Sequence, residues 1–298
     1  MFWRKRTISK IALSPPAPDP ARHGLGLCLI VRNEERHIAE WAEFHAMAGV
    51  RHFFVYDNGC TDATIKVLRG SLPPAQLTII PWDQKLKDAR SGAEIHNQVL
   101  AYAHCLRNFG ARFRWLGFID TDEFLVPTSA PDLPAALEPL AEHAHISLPW
   151  HMFGRGGHEE PPQGGVLENY LDRMADPHAA PVALNWKCLV DPTRVTTVRV
   201  HGFGIDGQDH GVNDAGRPAA HADRKARSFY STAAIQLNHY YTRSNAELMA
   251  KIERGSNKTV AAERHHKRVM RIVSAIEADT LRDDSVARFR ARQTPHRA

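Results

Sequence analysis

The sequence predicts an α/β fold: a mostly parallel central sheet flanked by helices, with a C-terminal helical appendage. Three observations carry the prediction. Short apolar runs rich in β-branched and aromatic residues recur through the first 127 positions, each the length of a buried strand. Between them lie longer stretches with apolar residues at helical spacing, several ending at a glycine. Strands that alternate with helices pair in parallel through right-handed crossovers, since a tight hairpin cannot join parallel neighbours.

Each element follows from its own letters. After a basic start (Met1, Arg4, Lys5, Arg6) and a Pro-rich leader at 14–20, residues 25–31 are apolar throughout, as in a strand covered on both faces. Residues 34–47 read as an amphipathic helix with Ile38, Trp41, Phe44 and His45 or Met47 on one face, stopped by Gly49. A second strand at 51–56 runs into the turn letters Asp57-Asn58-Gly59, and Thr61-Asp62 opens a second helix that ends before Gly70. A third strand at 77–82, a long helix at 89–109 and a fourth strand at 113–119 complete the alternation. The second half is less regular. Strand compositions appear at 146–150, 182–190, 195–200 and 235–241, with a glycine-rich loop at 152–158. The Gly-, Asp-, His- and Arg-rich stretch at 202–227 reads as an irregular, mobile loop. Ser244 and Glu247 have capping-box spacing and open a helix to residue 254, ended by Gly255. The remaining tail reads as helical, its basic residues forming a solvated face.

Composition narrows the classes of function. A chain with 43% hydrophobic and 24% charged residues is ordinary for a globular protein. No apolar run approaches the ~18 residues of a membrane span, and the basic start lacks the apolar stretch of a signal peptide. Cys28, Cys60, Cys105 and Cys188 show neither a C-x-x-C pair nor zinc spacing, so they read as free thiols in a reducing, cytoplasmic setting. A net charge of +5 and a pI near 9.1 favour anionic partners, including a peripheral contact between the basic ends and the inner face of the cell membrane. Nothing pairs basic with stacking residues as nucleic-acid folds do, so no nucleic acid is expected.

The chemistry concentrates at the ends of strands. Phe118-Ile119-Asp120-Thr121-Asp122-Glu123-Phe124 sets two carboxylates, with one residue between, where the fourth strand stops. In open α/β sheets, ligands bind in the crevice beyond the carboxyl ends of the strands. Two carboxylates held there repel unless a cation lies between them, and hard divalent cations prefer oxygen ligands. The segment therefore reads as a metal site with positions open to a phosphate-bearing substrate. Alone, the same letters also describe a turn begun by Asp120 and a cap supplied by Asp122. Two further loops favour the first reading. The first strand ends in Val31-Arg32-Asn33-Glu34-Glu35, and the second in Tyr56-Asp57-Asn58-Gly59-Cys60-Thr61-Asp62. Three strands thus deliver polar groups to one edge, as a nucleotide site requires. Arg32, Asn33, Glu34, Asp57, Asn58 and Asp120 are the candidate nucleotide contacts.

These segments resemble the family-2-like glycosyltransferases, and within them glycosyltransferase family 92. The matches include Leu29-Ile30-Val31-Arg32-Asn33-Glu34, Glu40-Trp41-x-x-Phe44-His45, Phe53-Phe54-Val55-Tyr56-Asp57-Asn58 and Trp115-x-x-Phe118-Ile119-Asp120-Thr121-Asp122-Glu123-Phe124. Later come Phe153-Gly154-x-Gly156-Gly157-His158, Lys187-Cys188-Leu189-Val190, Val200-His201-Gly202 and Asn238-His239-Tyr240-Tyr241-Thr242-Arg243-Ser244. In order, they cover roughly residues 25 to 255. Arg32 stands where the family's first loop often has Lys, and Cys60 or Thr61 where the second has Ser. The resemblance implies a GT-A-like transferase that moves sugar from a nucleotide-sugar donor, a UDP-sugar first, to a carbohydrate or lipid-linked glycan acceptor with inversion. It implies Mn²⁺ or Mg²⁺ at Asp120 and Asp122, with a C-terminal histidine as third ligand. His239 is that candidate and His201 its competitor, although a histidine in an apolar strand also suits a satisfied core group. His158 and Glu159 are candidates for the base on the acceptor hydroxyl, while Glu159-Glu160 before Pro161-Pro162 reads equally as a solvated turn. Trp150 and Phe153 suit a sugar platform or the core.

On this reading the chain divides into a leader (1–24), a transferase domain (25–255, with a nucleotide-binding half at 25–127 and an acceptor half at 128–255) and a basic helical tail (256–298). Two other readings compete. A haloacid-dehalogenase-like phosphatase would use Asp120 as nucleophile, but it carries Thr or Val where Phe124 stands and places the motif on its first strand. A non-enzymatic module would bind polyanions through the basic tail. An NAD enzyme is disfavoured, because the first strand–helix turn lacks G-x-G-x-x-G and carries Glu34-Glu35.

Overall fold

The computed structural model describes residues 7–253 and 262–293, so the basic start, the stop at Gly255 and the last five residues lie outside the described part. The first half forms the expected alternation. Strands Leu25–Val31, His52–Asp57, Leu77–Pro81 and Trp115–Phe118 are joined through helices Ile38–Met47, Thr64–Ser71 and Asn97–Phe109. The four strands are parallel to one another, and their order across the sheet is third, second, first, fourth. The order reverses between the first and fourth strands, which opens a crevice beyond their carboxyl ends. The Arg32–Glu35 loop and Asp120–Asp122 follow those two strands directly.

The sequence misplaces the starts of all three helices, and the second, Thr64–Ser71, runs through Gly70 instead of stopping before it. Residues 89–96 are not helical: Ser91 caps back onto Asp88, Gly92 takes φ +64°, and Lys87 bridges Glu94, so the helix begins at Asn97. The first helix begins at Ile38, because Asn33 at φ +55° and the turn closed by His37 N–H on Glu34 C=O occupy the preceding residues. Gly49, at φ +91°, closes that helix as expected; a left-handed residue ends a helix cheaply only as glycine. His45, rather than Met47, completes the helix's inward face, since Met47 is exposed.

After Asp122 the sheet continues with mixed directions. Strand Trp186–Val190 runs antiparallel to Trp115–Phe118, and His145–Met152 antiparallel to Trp186–Val190. Ile235–His239 then pairs parallel with His145–Met152 and antiparallel with Glu123–Pro127, in a register that sets His239 opposite Glu123. Residues 202–227 are more ordered than their composition suggests. Gly202–Ile205 forms a hairpin with Val195–Arg199, and His210–Val212 pairs with Pro218–Ala220, with short 3₁₀ turns after them.

The sheet is covered on both faces. Alternate residues separate into two apolar layers, with Leu27, Phe53 and Val55 in one and Cys28, Phe54 and Tyr56 in the other. All four cysteines are free. The C-terminal segment packs against this body. Thr280–Arg282 pairs with Asp172–Met174, and helix Ser285–Gln293 buries Phe289 edge-on against Phe44, 5.5 Å between ring centres. No helix among the described residues is long and apolar enough to cross a membrane.

Candidate active site

Asp120 and Asp122 occupy a tight turn in which the Glu123 N–H donates to the Asp120 carbonyl. One carboxylate is tied into the sheet. Asp120 accepts from Lys187 Nζ at 2.7 Å and from Gln98 Nε2 at 3.0 Å. Lys187 comes from the neighbouring antiparallel strand, is 1% exposed, and lies 3.4 Å from Glu123 Oε2 as well. Burial works to discharge this lysine, but Asp120 and Glu123 outweigh it and hold its pKa well above the ordinary lysine range. Burial raises Glu123 to about 8 against the pull of Lys187, and its Oε2 accepts the Asp120 N–H at 2.7 Å.

The other carboxylate faces the crevice. Asp122 Oδ2 accepts from Lys251 Nζ at 2.9 Å, and its Oδ1 lies 3.6 Å from His239 Nε2. Burial opposes the charge on Asp122, yet Lys251 and His239 hold its pKa well below the usual carboxylate range. Burial lowers the His239 pKa against the attraction of Asp122, and its Nδ1 is buried without a partner among the described residues. Of the two candidate histidines, His239 adjoins Asp122. His201 Nδ1 is engaged by the Trp186 carbonyl at 3.1 Å, with its ring edge-on to Trp150.

The donor set of Asp122 and His239 suits Mn²⁺: a carboxylate oxygen and an imidazole nitrogen, 3.6 Å apart, as neighbouring ligands of one ion can be. Among the described residues no three His, Cys, Asp or Glu side chains converge into a metal-holding group. Lysines instead occupy one oxygen of each carboxylate.

A cavity of about 330 Å³ opens beside Asp122, walled by 33–37 of the first loop, Asp62, 241–243, Glu247 and Lys251. Its opposite walls are joined by an ion pair, Arg243 Nη1 to Glu34 Oε2 at 2.9 Å. Asn33 (φ +55°) and Arg243 (φ +50°) are both left-handed without being glycine. Such strain persists only where the surroundings enforce it, and it clusters at functional sites. The expected capping box is present: Ser244 Oγ and Glu247 Oε2 lie 2.6 Å apart, and the Ser244 N–H donates to the same oxygen. His37 Nε2 reaches the other oxygen at 2.6 Å, tying the first loop to this helix. Burial opposes the Glu247 charge, but hydrogen bonds from His37 and Ser244 bring its carboxyl down to about 2.

The other predicted residues are distributed more widely. Asn33 hydrogen-bonds Thr61 across the two loops, and Arg32 is exposed with no ion pair among the described residues. Asp57 accepts the Cys60 N–H and Asn58 accepts from Asn97, so both shape the second loop outside the cavity wall. His158 and Glu159 lie away from that wall. Their carbonyls accept the Asn245 and Ala246 N–H groups, and the Glu159 carboxylate accepts from Asn245 Nδ2. His158 packs edge-on to Tyr170. Trp150 packs on His239, and Phe153 is buried against Tyr240. The sequence alone gave no site role to Lys187, Glu123, Arg243, Glu247, His37 and Lys251. One signal was present: a lysine inside the apolar run Trp186–Val190 requires a buried anion.

Comparison with known proteins places the sequence among glycosyltransferases. A sequence model of glycosyltransferase family 92 matches residues 23–271. A glycosyltransferase family 92 protein of Oryza sativa subsp. japonica is 28% identical over 57% of this chain and 29% of that protein. One from Ricinus communis is 30% identical over 55% of this chain and 30% of that protein. A galactan beta-1,4-galactosyltransferase of Arabidopsis thaliana is 24% identical over 38% of this chain and 22% of that protein. The chain thus spans about 30% of the length of the first two relatives. A crystal structure of a mycobacterial protein aligns with a TM-score of 0.36 and 17% identity, over 76% of this chain and 70% of that one, a likeness too slight to carry an argument.

Proposed function

The chain belongs to glycosyltransferase family 92, and from that premise we propose that it moves a sugar from a nucleotide-diphosphate donor to a hydroxyl of a carbohydrate or lipid-linked glycan. The fold type is GT-A, the donor a UDP-sugar, and the cofactor Mn²⁺ or Mg²⁺ held by Asp122 and His239 with Asp120 beside them. The relative named as a galactosyltransferase makes UDP-galactose the first donor to test. The observation that carries the proposal is Asp122 on the wall of a cavity at the sheet's switch point, with the buried His239 3.6 Å from it.

In the reaction, the acceptor oxygen attacks the anomeric carbon from the face opposite the diphosphate. The bond from that carbon to the phosphate oxygen breaks with its electron pair on the diphosphate, and configuration inverts. When bound, the cation offsets the charge gathering on the departing diphosphate. The first loop and Asp62 enclose the nucleotide end of the donor. The acceptor proton needs a base on the cavity wall. The carboxylates of Glu34, Glu35, Asp62 and Glu247 each already accept from a protein group. His37 keeps one ring nitrogen uncommitted among the described residues and is oriented by Glu247 through the other, the arrangement of a general base.

The test is a thermal-shift screen of nucleoside diphosphates and nucleotide sugars, each with and without Mn²⁺. Ligands that bind only the folded state raise the midpoint. One nucleotide giving a metal-dependent shift, lost in Asp122→Asn, is expected. The absence of any nucleotide shift, with a metal-insensitive response to polyanions, overturns the transferase reading in favour of a binding module.

A further inference from the structure

Lys251 lies on the carboxylate that the metal reading needs. Its Nζ is 2.9 Å from Asp122 Oδ2, on the side of the carboxylate away from His239. An ammonium and a divalent cation cannot share one carboxylate at that range without strong mutual repulsion. Lys251 stands at the open edge of the site. Its side chain is 38% exposed, it borders the cavity, and it rests at 4.0 Å over the Tyr241 ring with the Tyr241 carbonyl at 3.1 Å. Those two partners remain when Asp122 is taken. The other cations on the same wall are committed: Arg243 to Glu34, and Arg36 to the Pro162 carbonyl. The base of the lysine is fixed by the capping box one turn earlier, where Glu247 is held by both Ser244 and His37. A flexible four-carbon stem on a fixed turn lets the charged head swing while its Cα stays in place.

Resting on the nucleotide-sugar reading above, we infer that Lys251 is an exchangeable counter-ion, seated on Asp122 before metal loading and transferred to the donor's diphosphate once the cation takes that carboxylate. The lysine keeps Asp122 neutralised in the empty site and becomes a second positive group on the phosphates in the loaded one. Empty and loaded sites thus carry similar net charge, and the diphosphate is the ligand that completes the exchange.

The experiment is calorimetry on the full chain, titrating first Mn²⁺ alone and then UDP at saturating Mn²⁺, in the wild type, Lys251→Met and Lys251→Arg. Removing a competing ammonium is expected to tighten Mn²⁺ binding about three- to tenfold in Lys251→Met. Losing a charge-assisted contact to phosphate is expected to weaken UDP about tenfold or more in the same variant. Lys251→Arg, which keeps the charge, should bind UDP within a few-fold of wild type. Opposite signs for metal and nucleotide are something a merely structural lysine does not produce. Mn²⁺ affinity that is unchanged or weaker in Lys251→Met overturns the exchange, even where wild-type UDP binding upholds the transferase reading. Wild-type protein that binds Mn²⁺ but no UDP overturns the transferase reading, and the nucleotide half of the exchange with it.

Discussion

Two lysine–aspartate pairs sit two residues apart in this molecule and differ in nearly every physical respect. Lys187 is 1% exposed, wedged between Asp120 and Glu123 inside the sheet. Lys251 is 38% exposed, standing on a helix at the rim and touching Asp122 from the solvent side. A buried charge survives only with its partners in place, because the desolvation cost of each ion is recovered solely by the others. A pair open to solvent on its lysine side can dissolve when a stronger partner for the carboxylate arrives. The same two residue types thus make a fixed brace behind the strand and an exchangeable contact in front of it.

The comparison can be broken most directly at the brace. Lys187→Met strands the Asp120 and Glu123 carboxylates without a cation and is expected to cost about 3–5 kcal/mol. Lys251→Met leaves Asp122 beside the open cavity with His239 still next to it, and is expected to cost less, about 1–2 kcal/mol. Urea denaturation of both variants measures the difference, and equal losses would erase the distinction.

Acid probes the buried side as well. Behind Glu123, the neutral His45 ring accepts the Leu125 N–H at Nε2 and so donates from Nδ1 to the Trp41 carbonyl. Burial lowers its pKa to about 3. As pH falls below 6.5 the unfolded chain takes up a proton that the folded chain refuses, so stability declines from 6.5 toward 3 and is level above 6.5. By pH 5 the loss from His45 alone is about 2 kcal/mol. Burial sets His145 near 3, and His151 and His201 near 4, so they act in the same direction. A urea midpoint that stays constant from pH 7 to pH 5 would contradict this account.

A modest effect is expected on the exchangeable side. Glu247→Gln removes the charge that holds His37 and Ser244, at an expected cost of about 1–2 kcal/mol. The wild-type share of that stabilisation is present above pH 4.5 and fades as pH falls toward 2. Because the same helix carries Lys251, UDP affinity at saturating Mn²⁺ should fall in this variant while Mn²⁺ affinity holds; calorimetry reads both.

Local signals made several elements legible in the sequence. Apolar runs too short for helices located the four parallel strands, Gly49 marked a helix end, and Ser244 with Glu247 marked a helix start. The start of the helix at Asn97 was illegible, because the Asp88–Ser91 turn competes with helix using letters that a helix tolerates. The stretch at 202–227 was illegible for another reason: its strands are three or four residues long and exist through their pairings.

The site divides along the same line. By itself the sequence determined which residues end the strands, and so that Asp120 and Asp122 would stand at the mouth of a parallel sheet. The partners of those carboxylates were decided by the tertiary structure alone. Lys187 lies 67 positions from Asp120, Lys251 lies 129 from Asp122, and Arg243 lies 209 from Glu34. Propensity and periodicity report on neighbours within a turn or a strand. Contacts at these separations depend on strand order and register, here the antiparallel pairing that sets His239 opposite Glu123.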